Sequence, residues 1–225
     1  MISDARLIEV LTVLKHDGIE RCCEISGLST ETIYRYQRWA NERGLKLFEE
    51  VKLPKVLLFD IEMSLMKAYV FQPFKNYISP DDIIEDKFMI CFGYKWLFED
   101  EYFVEQVTPV QAKLRDDFDL VKKLWVLLDE ADVAIAHNIK YDVGNLNAKA
   151  IEYGLGFPKP YNLVDTLSVR NNTMFSSNSL DYLCGKLGLR NKLSTSKELW
   201  RRVDRGEPEA IQEMADYCKQ DIVAL

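Results

Sequence analysis

The sequence predicts a mixed α/β protein: a mixed β-sheet flanked by helices, preceded by a small all-α unit. Three observations predict it. Residues 1 to about 50 carry apolar positions at helical spacing between capping residues. From Val56 the texture changes to β-branched and aromatic segments with short connections. Beyond these strands, amphipathic helices alternate with short apolar strands, the pattern of a sheet covered by helices. The expected boundaries are 1–50 for the helical unit, 51–55 ("VKLPK") for a linker, and 56–225 for the α/β domain.

The chain has 225 residues, 48% of them hydrophobic, which suits one medium and one small domain. No apolar run reaches the length of a membrane-spanning helix. The start "MISDARLIEV" lacks the basic-then-apolar order of a secretory signal. Five cysteines, odd in number and without a CxxC pair, read as reduced thiols of a cytoplasmic protein. A formal net charge of -7 argues against coating nucleic acid through bulk positive charge. Residues 186–205, with seven Lys/Arg against one Glu and one Asp, form a locally basic segment. It is either a solvated face or a surface that tracks phosphates.

In the helical unit, "ISDARLIEVLTVLKHDG" has apolar residues at Ile2, Leu7, Ile8, Leu11 and Leu14 and a stop at Gly18. "IERCCEISG" is a second short helix ending at Gly27. "LSTETIYRYQRWANERG" starts on Ser29 or Thr30 as cap, with Glu31 in the first turn. Two helices joined by a tight glycine-containing turn form a helix-turn-helix arrangement. Thr30, Thr32, Arg35, Tyr36 and Arg38 would then lie on or near its recognition face. With nine Lys/Arg and nine Asp/Glu in residues 1–55, the unit has no strong electrostatic footprint. A packing or self-association role is the alternative to nucleic-acid binding.

In the α/β domain, "KVLLFDIEM", "KAYVFQ", "KFMICFGYKWLF" and "EYFVEQV" read as an antiparallel group of strands. "QAKLRDDFDLVKKLWVLLDE" reads as one amphipathic helix, "ADVAIAHN" as a strand, and "YDVGNLNAKAIEYG" as a helix closed at Gly154. "YNLVDT" is a strand, "SNSLDYLCGKLG" a helix ending at Gly188, and "EPEAIQEMADYCKQDIVAL" a helix with Pro208 in its first turn.

Asp60 and Glu62 sit two apart at the end of an apolar strand and therefore project from one face. Asp142 follows the strand "ADVAIAHN" at a helix start, and Tyr217 and Asp221 are four apart on the last helix. Each has an ordinary structural explanation, such as a cap or a chance pair. Together they are four acids near element ends that one sheet can gather. Converging carboxylates raise each other's pKa values, and a divalent cation removes that conflict. Mg²⁺ takes oxygen ligands and is held by a few carboxylates plus substrate phosphate. Two such ions can activate water and stabilise the leaving oxygen of a phosphoryl displacement.

"FDIE" (Asp60, Glu62), "HNIKYD" (Asn138, Asp142) and "YCKQD" (Tyr217, Asp221) resemble, in chain order, the three exonuclease motifs of the DEDD superfamily. The tyrosine before the last aspartate makes the chain similar to the DEDDy branch, closest to the exonuclease domain of family B DNA polymerases and its stand-alone relatives. The resemblance covers roughly residues 55–225 and implies a ribonuclease H-like fold and 3′→5′ exonuclease activity. It implies that Asp60, Glu62 and Asp221 hold one Mg²⁺ or Mn²⁺ ion, that Asp60 bridges to a second, and that Asp142 supports the second. Tyr217 would orient the attacking water rather than act as a base, because a phenol's ordinary pKa is about 10. Asn138 would shape the loop or touch the substrate. Tyr217 stands where the sister branch has histidine, so His137 is read as structural.

Lys192, Lys197, Arg201 and Arg202 are candidate phosphate contacts, with Arg35 and Arg38 for the helical unit. Tyr94 and Trp96 are read as core residues before stacking platforms. The last helix ends four residues after Asp221, where fraying would loosen that carboxylate. The expected partner is nucleic acid, DNA ahead of RNA, with no membrane. Two alternatives remain: a helix-turn-helix regulator with an idle nuclease-like domain, and a ribonuclease H-like endonuclease or transposase, which needs a different carboxylate set.

Overall fold

Four apolar residues followed by alternating acids and apolar residues build the central strand of the sheet. In the computed structural model, which describes residues 2–45, 53–72, 74, 77–189 and 195–225, this strand is β1 (Val56–Met63). The chain divides into two compact units, Met1–Leu53 and Pro54–Leu225.

The first unit consists of α1 (Asp4–Ser26) and α2 (Thr30–Glu42). Gly18 interrupts α1 with φ 79° and ψ 176°, so the expected stop is a kink between two helical stretches. Gly27, in the left-handed conformation, ends the second stretch. Ser3 and Ser29 cap the two helices by accepting hydrogen bonds from the amides of Arg6 and Thr32. Val10, Cys22 and Ile33 form the unit's core, with Tyr36 packed against it. Arg43 ties the end of α2 to the start of α1 by donating to Asp4 at 2.7 Å and to the Ile2 carbonyl at 3.0 Å.

The second unit adds β2 (Lys67–Ala68), β3 (Ile83–Glu85), β4 (Met89–Trp96), β5 (Phe103–Gln106), β6 (Val133–Ala136) and β7 (Asn162–Asp165). Its helices are α3 (Pro109–Leu114), α4 (Phe118–Glu130), α5 (Ile139–Glu152), α6 (Leu180–Leu187), α7 (Lys197–Asp204) and α8 (Pro208–Ala224). Among the described residues, five strands make one mixed sheet in the order β5-β4-β1-β6-β7. β1, β4 and β5 pair antiparallel, whereas β6 and β7 run parallel to β1. The sheet is covered by helices: α8 packs on β1, β4 and β5, while α4 packs on β4 and on α5, which also meets β6 and β7. Leu57, Phe59, Ile61, Ile90 and Phe92 are buried in one continuous core. Tyr94 joins this core by stacking between Phe92 and Phe103.

Two expectations are corrected. "KAYVFQ" contributes only the short β2, which pairs with β3 in a separate two-stranded sheet. Beyond it, the Tyr69 amide donates to the Asp82 carbonyl, and Tyr69, Val70 and Phe71 are exposed, covered by no sheet face among the described residues. The single helix expected over 111–130 is two, α3 and α4, separated at Arg115, whose φ is 54°. The break follows from distant contacts. The Arg115 guanidinium donates to Ser64 Oγ and to the carbonyls of Leu65 and Asp86, and it pairs with Asp204 at 2.7 Å. Asp117 is only 1% exposed and accepts the Met89 amide at 2.6 Å and the Tyr153 hydroxyl. A continuous helix could not deliver both side chains.

Four of the cysteines are buried, and no disulfide occurs among the described residues. No helix of the described residues is long and apolar enough to cross a membrane.

The Tyr153–Asp117 bond anchors α5 to the turn before α4, and burial together with the Asp117 carboxylate pushes the Tyr153 phenol well above its ordinary value. Tyr153→Phe keeps the edge-on ring contact with Phe118 but leaves a buried carboxylate oxygen without its donor. Urea unfolding is expected to show a loss of about 1–3 kcal/mol; a loss under about 0.5 kcal/mol would mean that this bond does not outcompete water.

Candidate metal centre

Period-two geometry puts Asp60 and Glu62 on one face of β1, with Ile61 between them pointing into the core at 4% exposure. Their partners across the antiparallel pair are Gly93 and Cys91 on β4, and a bulge follows at Glu62/Met63. On α8, Tyr217 and Asp221 lie one turn apart and are both buried. The helix remains regular to Ala224, and the Asp221 carbonyl accepts the Leu225 amide at 3.1 Å, so the last turn that carries Asp221 is hydrogen-bonded.

α8 lies against β1 and β4, and this brings the two sets together. One carboxylate oxygen from each of Asp60, Glu62 and Asp221 lies within 4.8 Å of the others. Such a cluster of half-buried and buried acids is a poor resting place for three charges and a good donor set for a hard, oxygen-seeking cation. The Cys218 thiol borders it, lying 3.6 Å from the Asp60 carbonyl and 3.8 Å from Asp60 Oδ2. The proximity of Cys91, burial and the nearby Asp60 and Glu62 charges push this thiol well above its ordinary value, which keeps it protonated.

Asp142 is held differently. At the start of α5 and 3% exposed, it accepts the backbone amide of Ile61 at 3.3 Å. It thus touches the backbone between the two β1 acids while its oxygens stand outside the three-acid cluster. Burial pushes its pKa from 3.8 up to about 7; the Ile61 amide partly offsets this, and the Asp165 charge adds to it.

Asn138 adopts the left-handed conformation (φ 68°) as N-cap of α5, with its amide donating to Asp165 Oδ1 at 2.8 Å. The residue is exposed. His137 is engaged at both ring nitrogens, with Thr166 Oγ1 and the Asn178 carbonyl each at 2.9 Å. This geometry bridges three segments and fits a structural role.

Two of the expected phosphate contacts are engaged in ion pairs. Arg202 pairs with Glu207 at 2.9 Å and Glu213 at 3.1 Å, and Arg201 pairs with Glu198 at 3.4 Å. Lys197 is exposed at the start of α7, and Lys192 lies outside the described residues. Arg35 and Arg38 are exposed on α2, Arg35 resting over the Trp39 ring at 5.4 Å. Sequence reasoning missed Tyr141 and Lys87. The Tyr141 phenol, partly exposed just before Asp142, is pushed up by burial and by the charges of Glu62, Asp142 and Asp60. Lys87 Nζ sits over its ring at 5.7 Å and donates to Asn145 Oδ1 at 3.0 Å. The available signal was an aromatic residue immediately before Asp142.

Comparison with protein-family models and with curated proteins returns no match to this chain.

In metal-free protein, folded Asp142 holds its proton up to about pH 7, whereas the unfolded chain releases it near 3.8. Between these limits the folded state binds the extra proton, so stability falls as pH rises. The slope attributable to Asp142 is at most about 1.4 kcal/mol per pH unit. In EDTA, unfolding at pH 5 and pH 7 is expected to differ more for the wild type than for Asp142→Asn. Equal slopes would show that Asp142 is already ionised in the folded protein.

Proposed function

We propose that the Pro54–Leu225 unit is a divalent-metal-dependent 3′→5′ exonuclease of the ribonuclease H-like DEDDy type. It would release nucleoside monophosphates from a nucleic-acid 3′ end, with DNA ahead of RNA as substrate. The observation that carries this reading is the convergence of Asp60, Glu62 and Asp221 from a central strand and the last helix. The mixed sheet with β1 at its centre is compatible with the implied fold.

The donor set is all carboxylate, which suits oxygen-seeking Mg²⁺ and Mn²⁺, and Asp60, Glu62 and Asp221 would hold the cation with Asp142 beside them. Bound divalent ions supply a lowered pKa for water and stabilisation of the charge on the reacting phosphate. The chain's own contribution is placement. β1 fixes two acids at strand spacing, α8 sets Asp221 opposite them, and Tyr217, one turn earlier, presents a phenol that orients the attacking water. Asp142, accepting the Ile61 amide, holds the start of α5 to β1 and keeps Tyr141 and Asn138 at the rim. There an aromatic face and an amide can meet the terminal nucleotide. Lys87, over the Tyr141 ring, adds a positive charge where a phosphate would pass.

The test is a gel time course on 5′-labelled single-stranded DNA and RNA with Mg²⁺, with Mn²⁺ and with EDTA. A metal-dependent ladder shortening from the 3′ end is expected, with Asp60→Asn slower by at least about 100-fold. Relief of carboxylate repulsion should leave the metal-free Asp60→Asn protein at least as stable as the wild type in thermal melts. Intact substrate under every metal condition, with binding visible by gel shift, would favour the idle-domain regulator. Internal cuts would favour the endonuclease.

A further inference from the structure

The four-residue spacing of Met214, Cys218 and Ile222 makes them one stripe along α8, and all three are buried. Tyr217 and Asp221 form the neighbouring stripe, each one residue earlier. The first stripe is the helix's seat on β4: Cys91 Sγ lies 3.8 Å from the Met214 carbonyl. At Gly93 the helix comes closer still. A methyl group added there would meet Ile222 Cγ1 at 2.7 Å, Cys218 Sγ at 3.3 Å and the Cys218 carbonyl oxygen at 3.5 Å. Gly93 is opposite Asp60 in the β1–β4 register.

A glycine inside a central strand weakens it and marks a place where another backbone approaches closely. Here the approaching backbone carries Asp221 and Tyr217. The atom in the way is a branch carbon of a β-branched residue. In a helix such a side chain is nearly confined to one rotamer, so it cannot swing clear. Accommodating a methyl therefore moves the helix rather than the side chain. The movement needed to turn 2.7 Å into an ordinary carbon contact is about 1 Å.

We propose that Gly93 is a positioning residue for the carboxylate centre. By carrying no side chain, it seats α8 deeply enough on β4 for Asp221 and Tyr217 to face Asp60 and Glu62. The role rests on the reading of these acids as a metal centre. It concerns a residue that touches neither substrate nor cation and acts through the position of α8.

The experiment compares full-length wild type, Gly93→Ala, Ile222→Ala and the double variant. Mn²⁺ affinity is read from the free-ion electron paramagnetic resonance signal, and kcat and KM from cleavage of 5′-labelled single-stranded DNA. Gly93→Ala is expected to bind Mn²⁺ at least about tenfold more weakly. Its kcat should fall about 100-fold with KM little changed, as for a displacement of this size. Adding Ile222→Ala removes the atom at 2.7 Å and should restore at least about tenfold of both losses, a non-additivity expected of residues in contact. Should Gly93→Ala fail to fold, the double variant carries the test, since it must fold and bind Mn²⁺. A double variant that neither folds nor binds overturns the proposal. So does a Gly93→Ala protein that binds and cleaves like wild type, in which case the metal reading stands. A wild type that binds no Mn²⁺ overturns the metal reading and the positioning role with it.

Discussion

Mutual repulsion among carboxylates is the constraint around which the α/β unit is built. Asp60, Glu62 and Asp221 lie within 4.8 Å of one another, and isolated groups would separate or take up protons. Backbone pairing with β4 fixes the first two along β1, and pairing with β6 anchors the strand just before them, over Val56 to Leu58. A long helix seated on the neighbouring strand holds the third. The crowding is thus held in place by hydrogen bonds and burial elsewhere in the sheet.

The same view explains the supports around β1. Trp200 Nε1 donates to the Met63 carbonyl at 2.9 Å, and the Ser64 amide donates to the Phe88 carbonyl. These bonds catch the strand just past its bulge, where regular pairing is interrupted. Arg115 grips the next stretch through the Leu65 and Asp86 carbonyls while lying over the Phe88 ring at 4.7 Å. The end of the strand that carries the acids is therefore fixed by α7, by the α3–α4 connection and by β4, all from the same unit.

What could be read from the sequence was whatever depends on local periodicity. The shared face of Asp60 and Glu62 follows from strand spacing, and that of Tyr217 and Asp221 from helix spacing. The interruption at Gly18, expected as a stop and found as a kink, follows from the conformational freedom of that residue. What could not be read depends on partners distant in the chain. The break at Arg115 is imposed by residues 64, 65, 86 and 204. The ion-pair partners of Arg202 are Glu207 and Glu213, beyond the basic segment 186–205, so that segment alone does not disclose them. Gly93 sits in an unremarkable strand, and only the packing of α8 gives it meaning. Asp142 was grouped with the other acids, but its contact is to backbone, which no pattern of side chains discloses.

That contact has a consequence for how the chain can vary. Asp142 accepts the Ile61 amide, a group that nineteen of the twenty amino acids present identically. Side-chain identity at position 61 is thus answerable only to the volume of the core it fills, while proline alone would silence the donor. Drift at this position can proceed through valine, leucine or methionine without altering the link between the strand and α5. The invariance lies in the main chain, where substitutions do not reach.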